Sequence, residues 1–351
     1  MQKRANKQWQ LAVAFAAALA WAAPAPAAEE IVGADSAAGK EVAPGKPFQF
    51  KLYQDHAVLT GFNGMVSVAA VPAETEGLKV TVIGKSAFSM NPRLATVTIP
   101  AGVTRIEEAA FSACARLAAV DVPGSVVEIG PGAFSACAAL AAVNLHEGTR
   151  KLGPAAFAKC AALKSVALPA GLQEIAMAAF DDCQTLAALT LPQGLQTIGP
   201  KAFLNCRGLR QVTIPATVAA IGNEAFRGCE GLVNLAFANG AGAIGERAFL
   251  GCAAIKAVKI PGSVREIGKE AFAFCSGLQE AVIEDGAQAI AEGAFAKCAA
   301  LRSVAIPASV TKIGARVFEG CESLKAITAP KSLRGAMAEA LGACPAQVQY
   351  F

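Results

Sequence analysis

The sequence predicts a right-handed solenoid of about eleven stacked units, mainly β with short helical or 3-10 corners, and three periodic features predict it. Eleven phenylalanines, from Phe88 to Phe318, follow one another at intervals of 23 residues. An unbroken period of that length means one supersecondary unit, copied and stacked. Ten cysteines, Cys114 to Cys321, each stand three residues after one of those phenylalanines, and Cys344 continues the series where Leu341 replaces the aromatic. Proline recurs at one fixed offset in eight of the eleven copies: Pro100, Pro123, Pro169, Pro192, Pro215, Pro261, Pro307 and Pro330.

The copy that starts at Phe203 shows how one unit is built. Val212 and Ile214 alternate with polar Gln211 and Thr213, the period of a strand with one buried face. Proline closes that strand, because it holds the preceding residue extended and removes a donor that would continue the ladder. A second short extended segment is expected at Val218 to Ile221, with Phe203 at the inner corner. Glycine after it, as at Gly222 and Gly268, is expected to permit a tight corner. No unit stands alone; stacking supplies the second interface.

The flanks read differently. Lys3, Arg4 and Lys7 precede an uncharged apolar run from Leu11 to Ala23 and the small-residue stretch Ala25-Pro26-Ala27, the pattern of a secretory signal peptide over residues 1–27. Residues 28–77 are expected to form an N-terminal cap in which Phe48–Tyr53 and Ala57–Phe62 make a β-hairpin over the first open edge. The repeats fill 78–330. A C-terminal cap is expected over 331–351, with Val348–Phe351 as a last strand. The formal charge of +4 falls to +1 when the basic residues of the leader are removed, which gives no global argument for nucleic acid or an anionic membrane. No later segment is long and apolar enough to span a bilayer.

The run Leu-x-x-Val-x-Ile-Pro-x-x-Val-x-x-Ile-Gly-x-x-Ala-Phe-x-x-Cys resembles the 23-residue bacterial class of leucine-rich repeat, the BspA-like surface proteins. It departs from the commoner leucine-rich consensus, whose Asn/Cys position is filled here by residues such as Gly102, Ser125 and Thr217, while the ladder has moved to the residue after Ala-Phe-x-x. Asn91 takes that ladder position in the first copy, and the equivalence of amide and thiol suggests an inward, backbone-facing role. The resemblance implies a bacterial cell-surface or secreted protein used in adhesion to other cells or to host matrix proteins.

Other motifs carry little chemistry. Gly240-Ala241-Gly242-Ala243-Ile244-Gly245 matches a dinucleotide fingerprint by letter only, with no strand-helix-strand unit around it. Gly84-Lys85-Ser86 lacks the first glycine of a phosphate loop. Asp181-Asp182 reads as a solvated turn. His56 and His146, the only histidines, cannot form a two-histidine metal motif. His146-Glu147-Gly148, Ala238-Asn239-Gly240 and Glu284-Asp285-Gly286 break the proline rule and are expected to form a different turn. An enzyme, a cofactor and a metal centre are therefore not expected, and the cysteines are expected to stay reduced.

One outward position stands apart. The residue after the Leu reads Lys164, Arg210, Lys256 and Arg302 on every second rung, about 10 Å apart, with Lys325 beyond. Two accounts fit: exposed cations keep a flat strand face soluble, or they form a shallow basic track for an acidic partner. The expected function is an exported, non-enzymatic binding scaffold acting by adhesion or protein–protein interaction through the sheet face. The alternative is a periplasmic interaction module or one that binds an acidic polysaccharide.

Overall fold

Alternation and proline together give each unit two strands of unequal length. In the copy from Phe203 the longer is Gln211–Ile214, with Val212 and Ile214 buried and Gln211 and Thr213 exposed. The shorter is Ala220–Ile221. Both pair in parallel with their counterparts one period on, Val212 with Leu235 and Ile221 with Ile244, so each residue stacks on its own equivalent. This computed structural model describes residues 40–41 and 47–351; the expected leader lies outside the described residues, as do residues 28–39 and 42–46 of the expected cap.

The two ladders differ. The short strands run without a break through eleven rungs, from Leu78–Ile83 to Lys312–Ile313, inside one fifteen-stranded sheet. The long strands divide into sheets of six, two and five. One break falls between Ala188–Thr190 and Gln211–Ile214, the other between Asn234–Phe237 and Ala257–Ile260. Glycine eases the close approach at most rungs of the tighter side, while Glu107, Ala176 and Ala291 hold the same place in an unbroken ladder. A Cβ on Gly222 would stand 2.5 Å from the Pro200 nitrogen, and one on Gly268 would stand 2.6 Å from the Gly245 carbonyl carbon, so these residues let successive backbones approach.

Gly222 and Gly268 do not themselves make the expected corner, since neither takes a positive φ. The left-handed residues there lie two before and two after each phenylalanine, Lys201 (φ 59°) and Asn205 (φ 57°) around Phe203. The corner is a third ladder of stacked turns. The N–H groups of Lys201, Phe203 and Asn205 donate to the next rung at Asn223, Ala225 and Arg227, while those between them close turns within their own rung. Interlocking bonds hold residues such as lysine and glutamate in a region that L-residues otherwise avoid.

Inside this corner run two columns. All eleven phenylalanines are fully buried, and from Phe88 to Phe295 their rings stack 4.8 to 5.5 Å apart within 13° of parallel. Beside them each thiol from Cys114 to Cys321 donates to the phenylalanine carbonyl of the preceding rung at 3.1 to 3.3 Å. That carbonyl also accepts the N–H three residues on in its own rung, Asn91 at Phe88 and a cysteine at the others, so both lone pairs are used. Asn91 does the same with an amide: its Nδ2 donates to the Gly64 carbonyl and its Oδ1 accepts from the Arg93 and Leu94 N–H groups. All eleven cysteines are unpaired. Burial pushes the thiols up, Cys114 to about 11 and Cys183, Cys229, Cys275 and Cys321 to about 12.

Where proline is missing, the freed donor extends the long ladder. Ala238 and Glu284 donate to the Ile214 and Ile260 carbonyls at 2.9 and 3.0 Å, and His146 reaches Val122 at 3.5 Å. Gly240 (φ 115°) and Gly286 (φ 117°) take the positive φ in two of these turns, while Gly148 does not.

Both ends are covered. Phe48–Leu52 and Ala57–Phe62 pair antiparallel, and the latter joins the short ladder in parallel. Phe62 and Phe48 close the aromatic column over Phe88. Lys40–Glu41 adds an outer strand. At the other end lie a 3-10 turn, Lys331–Leu333, a five-residue helix, Met337–Leu341, and a strand, Gln347–Tyr350, that pairs with Ala326–Ala329. The helix carbonyls of Glu339 and Ala340 accept the corner N–H groups of Arg316 and Phe318, replacing the rung that would have followed.

Candidate binding face

The outward side chains of the long strands form one continuous face, because the 23-residue register stacks each strand position on itself. Lys164, Arg210, Lys256, Arg302 and Lys325 are all exposed along it. Each stands one residue before its strand, not within it: Ser165–Ala167, Gln211–Ile214, Ala257–Ile260, Ser303–Ala305 and Ala326–Ala329 begin immediately after. Their backbones still belong to the ladder, since the Lys164 carbonyl accepts from Ala187 and the Lys325 N–H donates to Arg302.

Several corner charges are paired from rung to rung: Lys85 with Glu108, Arg247 with Glu270, Lys269 with Glu292. Lys159, Lys201 and Lys297 there form no ion pair among the described residues. The Arg247 hydrogen bond holds Glu270 below the usual carboxylate range. Among the described residues none of the five row cations forms an ion pair.

The face is uneven along its length. Near its start, Asn144 Nδ2 donates to Asp121 Oδ1 at 2.6 Å, and His146 Nε2 lies 2.9 Å from that amide nitrogen and 3.0 Å from the carboxylate oxygen. Further on, Lys259 pairs with Glu284 at 2.7 Å. Between these, the strands 165–167, 188–190, 211–214 and 234–237 carry no acid. The first ladder break lies there: Arg210 N–H reaches the Ala187 carbonyl only at 3.5 Å, against 3.0 Å for Ala187 to Lys164 and 2.9 Å for Val233 to Arg210. A depression of about 240 Å³ opens at this point over Leu189 and Val212, edged by Thr190, Gln193, Gln211, Thr213 and Asn234. Sequence reading passed over these five. Gln211 and Asn234 were visible as amides at an outward position that holds Ala188 and Ala257 on the flanking rungs.

The remaining motifs resolve structurally. In Gly240 to Gly245 the last glycine lies against the preceding rung, where a Cβ would meet the Ile221 carbonyl oxygen at 2.7 Å, and a short strand, not a helix, follows from Ala243. Lys85 pairs with Glu108 and its N–H donates to Glu107. Asp182 accepts from Gln184, whereas Asp181 departs from the solvated-turn reading: its Oδ1 is buried without a hydrogen-bond partner. Burial and then Asp182 raise that carboxyl above its ordinary value, opposed by Lys159 and Lys201. His56 meets Asp55 and stacks on Tyr53. Glu147 caps the Ala170 N–H. Among the described residues no three His, Cys, Asp or Glu side chains are placed to hold a metal ion, and no helix is long and apolar enough to cross a membrane.

The comparisons with known proteins agree with this architecture. The family described as BspA type leucine rich repeat region matches residues 81–210, 196–325 and 288–348. Among solved structures the chain is similar to a leucine-rich repeat protein from Bacteroides ovatus, at 22% identity and TM-score 0.58, over 87% of this chain and 98% of that one. It is also similar to a leucine rich cell surface protein from Faecalibacterium prausnitzii, at 28% identity and TM-score 0.54, over 90% and 96%. No curated protein matches. With matched segments spanning most of the solenoid, the chain belongs to the BspA-type leucine-rich-repeat family.

Proposed function

We propose that this chain is an exported, non-enzymatic scaffold that holds a partner at the bacterial cell surface against its long-strand face, in adhesion or protein–protein interaction. The observation that carries this is the row Lys164, Arg210, Lys256, Arg302 and Lys325, exposed, stacked in register along one face and free of ion pairs. Family membership and the similarity to a protein described as cell-surface support it. Long cations among small neighbours are the most prominent features of the face, and they favour an acidic partner.

The test is binding of the protein lacking residues 1–27 to bacterial and host-cell surfaces and to a panel of matrix proteins. It is compared with a variant carrying Lys164→Ala, Arg210→Ala, Lys256→Ala and Arg302→Ala. Each exposed contact contributes less than about 1 kcal/mol, so loss should appear in the combined variant and wild-type binding should weaken with salt. Unchanged affinity and salt slope would return these residues to keeping the face soluble.

A further inference from the structure

We propose that the middle of the long-strand face, at the first ladder break, is a binding groove for a linear acidic polysaccharide, its anionic groups seated on the cation row. This rests on the face being the binding surface and names what it takes. The five polar side chains at the groove, Thr190, Gln193, Gln211, Thr213 and Asn234, have no hydrogen-bond partner among the described residues. They are exposed and face outward, whereas Asp121, Asn144 and His146 on the same face contact one another. Carboxamides and hydroxyls both donate and accept, which is what an array of sugar hydroxyls asks of a surface.

Three further observations select the polymer. Arg210 precedes Gln211 at the start of its strand, its guanidinium reaching the Gly231 carbonyl at 3.5 Å, and Lys164 and Lys256 stand two rungs to either side, so cations recur about every 10 Å along the row. A regularly spaced series of positive charges complements a linear chain whose acids also recur at a fixed interval, as in a polyuronate. The face also lacks the aromatic anchors on which tight protein interfaces depend. Every tryptophan and tyrosine lies outside the repeats, at Trp9, Trp21, Tyr53 and Tyr350, which removes the stacking that neutral sugars need. The absence of acid on strands 165–167 to 234–237 leaves nothing there to repel a carboxylate or sulfate.

Isothermal titration of the leaderless protein with a short polyuronate, a neutral dextrin of equal length and polyglutamate tests this. The polyuronate is expected to bind and the dextrin not. Gln211→Ala with Asn234→Ala, which changes no charge, is expected to weaken polyuronate binding by about tenfold, with the unfolding midpoint unchanged. Lys164→Ala with Lys256→Ala should reduce the salt slope. No polyuronate binding, or equal binding of polyglutamate with no effect of the amide substitutions, overturns the groove. If that happens while the four-cation variant still loses binding to cells or matrix protein, the face stands as the docking surface and only the saccharide assignment falls.

Discussion

The inner corner and the long-strand face are built from the same 23-residue unit, yet one is identical from rung to rung and the other is not. At the corner, phenylalanine repeats eleven times, the thiols bond the same carbonyl in ten copies, and no ring of that column is exposed. On the face, the residue before each strand alternates among Lys164, Ala187, Arg210, Val233 and Lys256. A stacked side chain must match its neighbours above and below, so one rung constrains every other. An outward side chain answers to solvent or to a ligand. The difference teaches where to look: sameness marks what holds the rod together, and departures from the period mark what it meets.

Two measurements would break that comparison at the corner, and they carry the largest expected effects. The first is alkaline unfolding. A thiol held at about 12 in the folded chain, as at Cys229 and Cys275, ionises in the unfolded chain near 9. Its contribution is whole below pH 9 and is lost as pH rises toward 12. Each such thiol withdraws roughly 1.4 kcal/mol per pH unit in that window, and the ladder holds many, so cooperative unfolding is expected within about two units above pH 9. Circular dichroism against pH reads it, and a variant with Cys206→Ser, Cys229→Ser and Cys252→Ser should unfold at higher pH. In the native state thiol titration should find Cys344 alone; after unfolding without reductant it should approach all eleven. The second is Phe203→Ala, which opens a gap between rings at 5.4 and 5.1 Å and should cost about 3–5 kcal/mol in denaturant unfolding. A loss below about 1 kcal/mol would place the ring outside the core.

What the sequence disclosed follows the same division. The period, the two strands, the proline stop and the inward ladder of Cys and Asn91 were legible because each rests on a residue type whose chemistry permits little else. The corner conformation was hidden: Ala178, Lys201 and Glu224 have no residue preference for positive φ that would announce it, and the bonds to neighbouring rungs impose it. The ladder break was hidden for a related reason. The alternation of apolar and polar residues is the same on both sides of it, with Leu189 and Val212 in equivalent places, and the stretch to 3.5 Å at Arg210 is a collective property of the stack. The cation row was legible as a pattern, but its freedom from ion pairs depends on partners 23 residues away.

Gly222→Ala sharpens the contrast between the two ladders. Its Cβ would meet the Pro200 nitrogen at 2.5 Å, so the rung must shift, at about 1–3 kcal/mol. Ala176 and Ala291 occupy the same position in other copies, which sets the cost below that of the lost ring. Gly171 has open space around it, and Gly171→Ala should leave the unfolding midpoint almost unchanged. Equal costs at the two glycines would mean that rung contact is not what keeps the short ladder continuous.

The smallest effect on stability is expected where the largest effect on binding is proposed. Lys164, Arg210, Lys256 and Arg302 touch no acid, and truncating exposed side chains away from packing changes stability by about 0.5 kcal/mol or less each. The four together should leave thermal unfolding within a few degrees of the parent. A rise in stability would be informative as well, because like charges on one row repel and their removal relieves that repulsion. Salt separates these cases. If the row is self-repelling, adding salt should stabilise the parent more than the variant, since screening acts only where charge remains. A variant that instead unfolds several kcal/mol more easily would show that the cation stems are packing elements of the rod, and the division between a uniform structural corner and a free working face would fail at its simplest point.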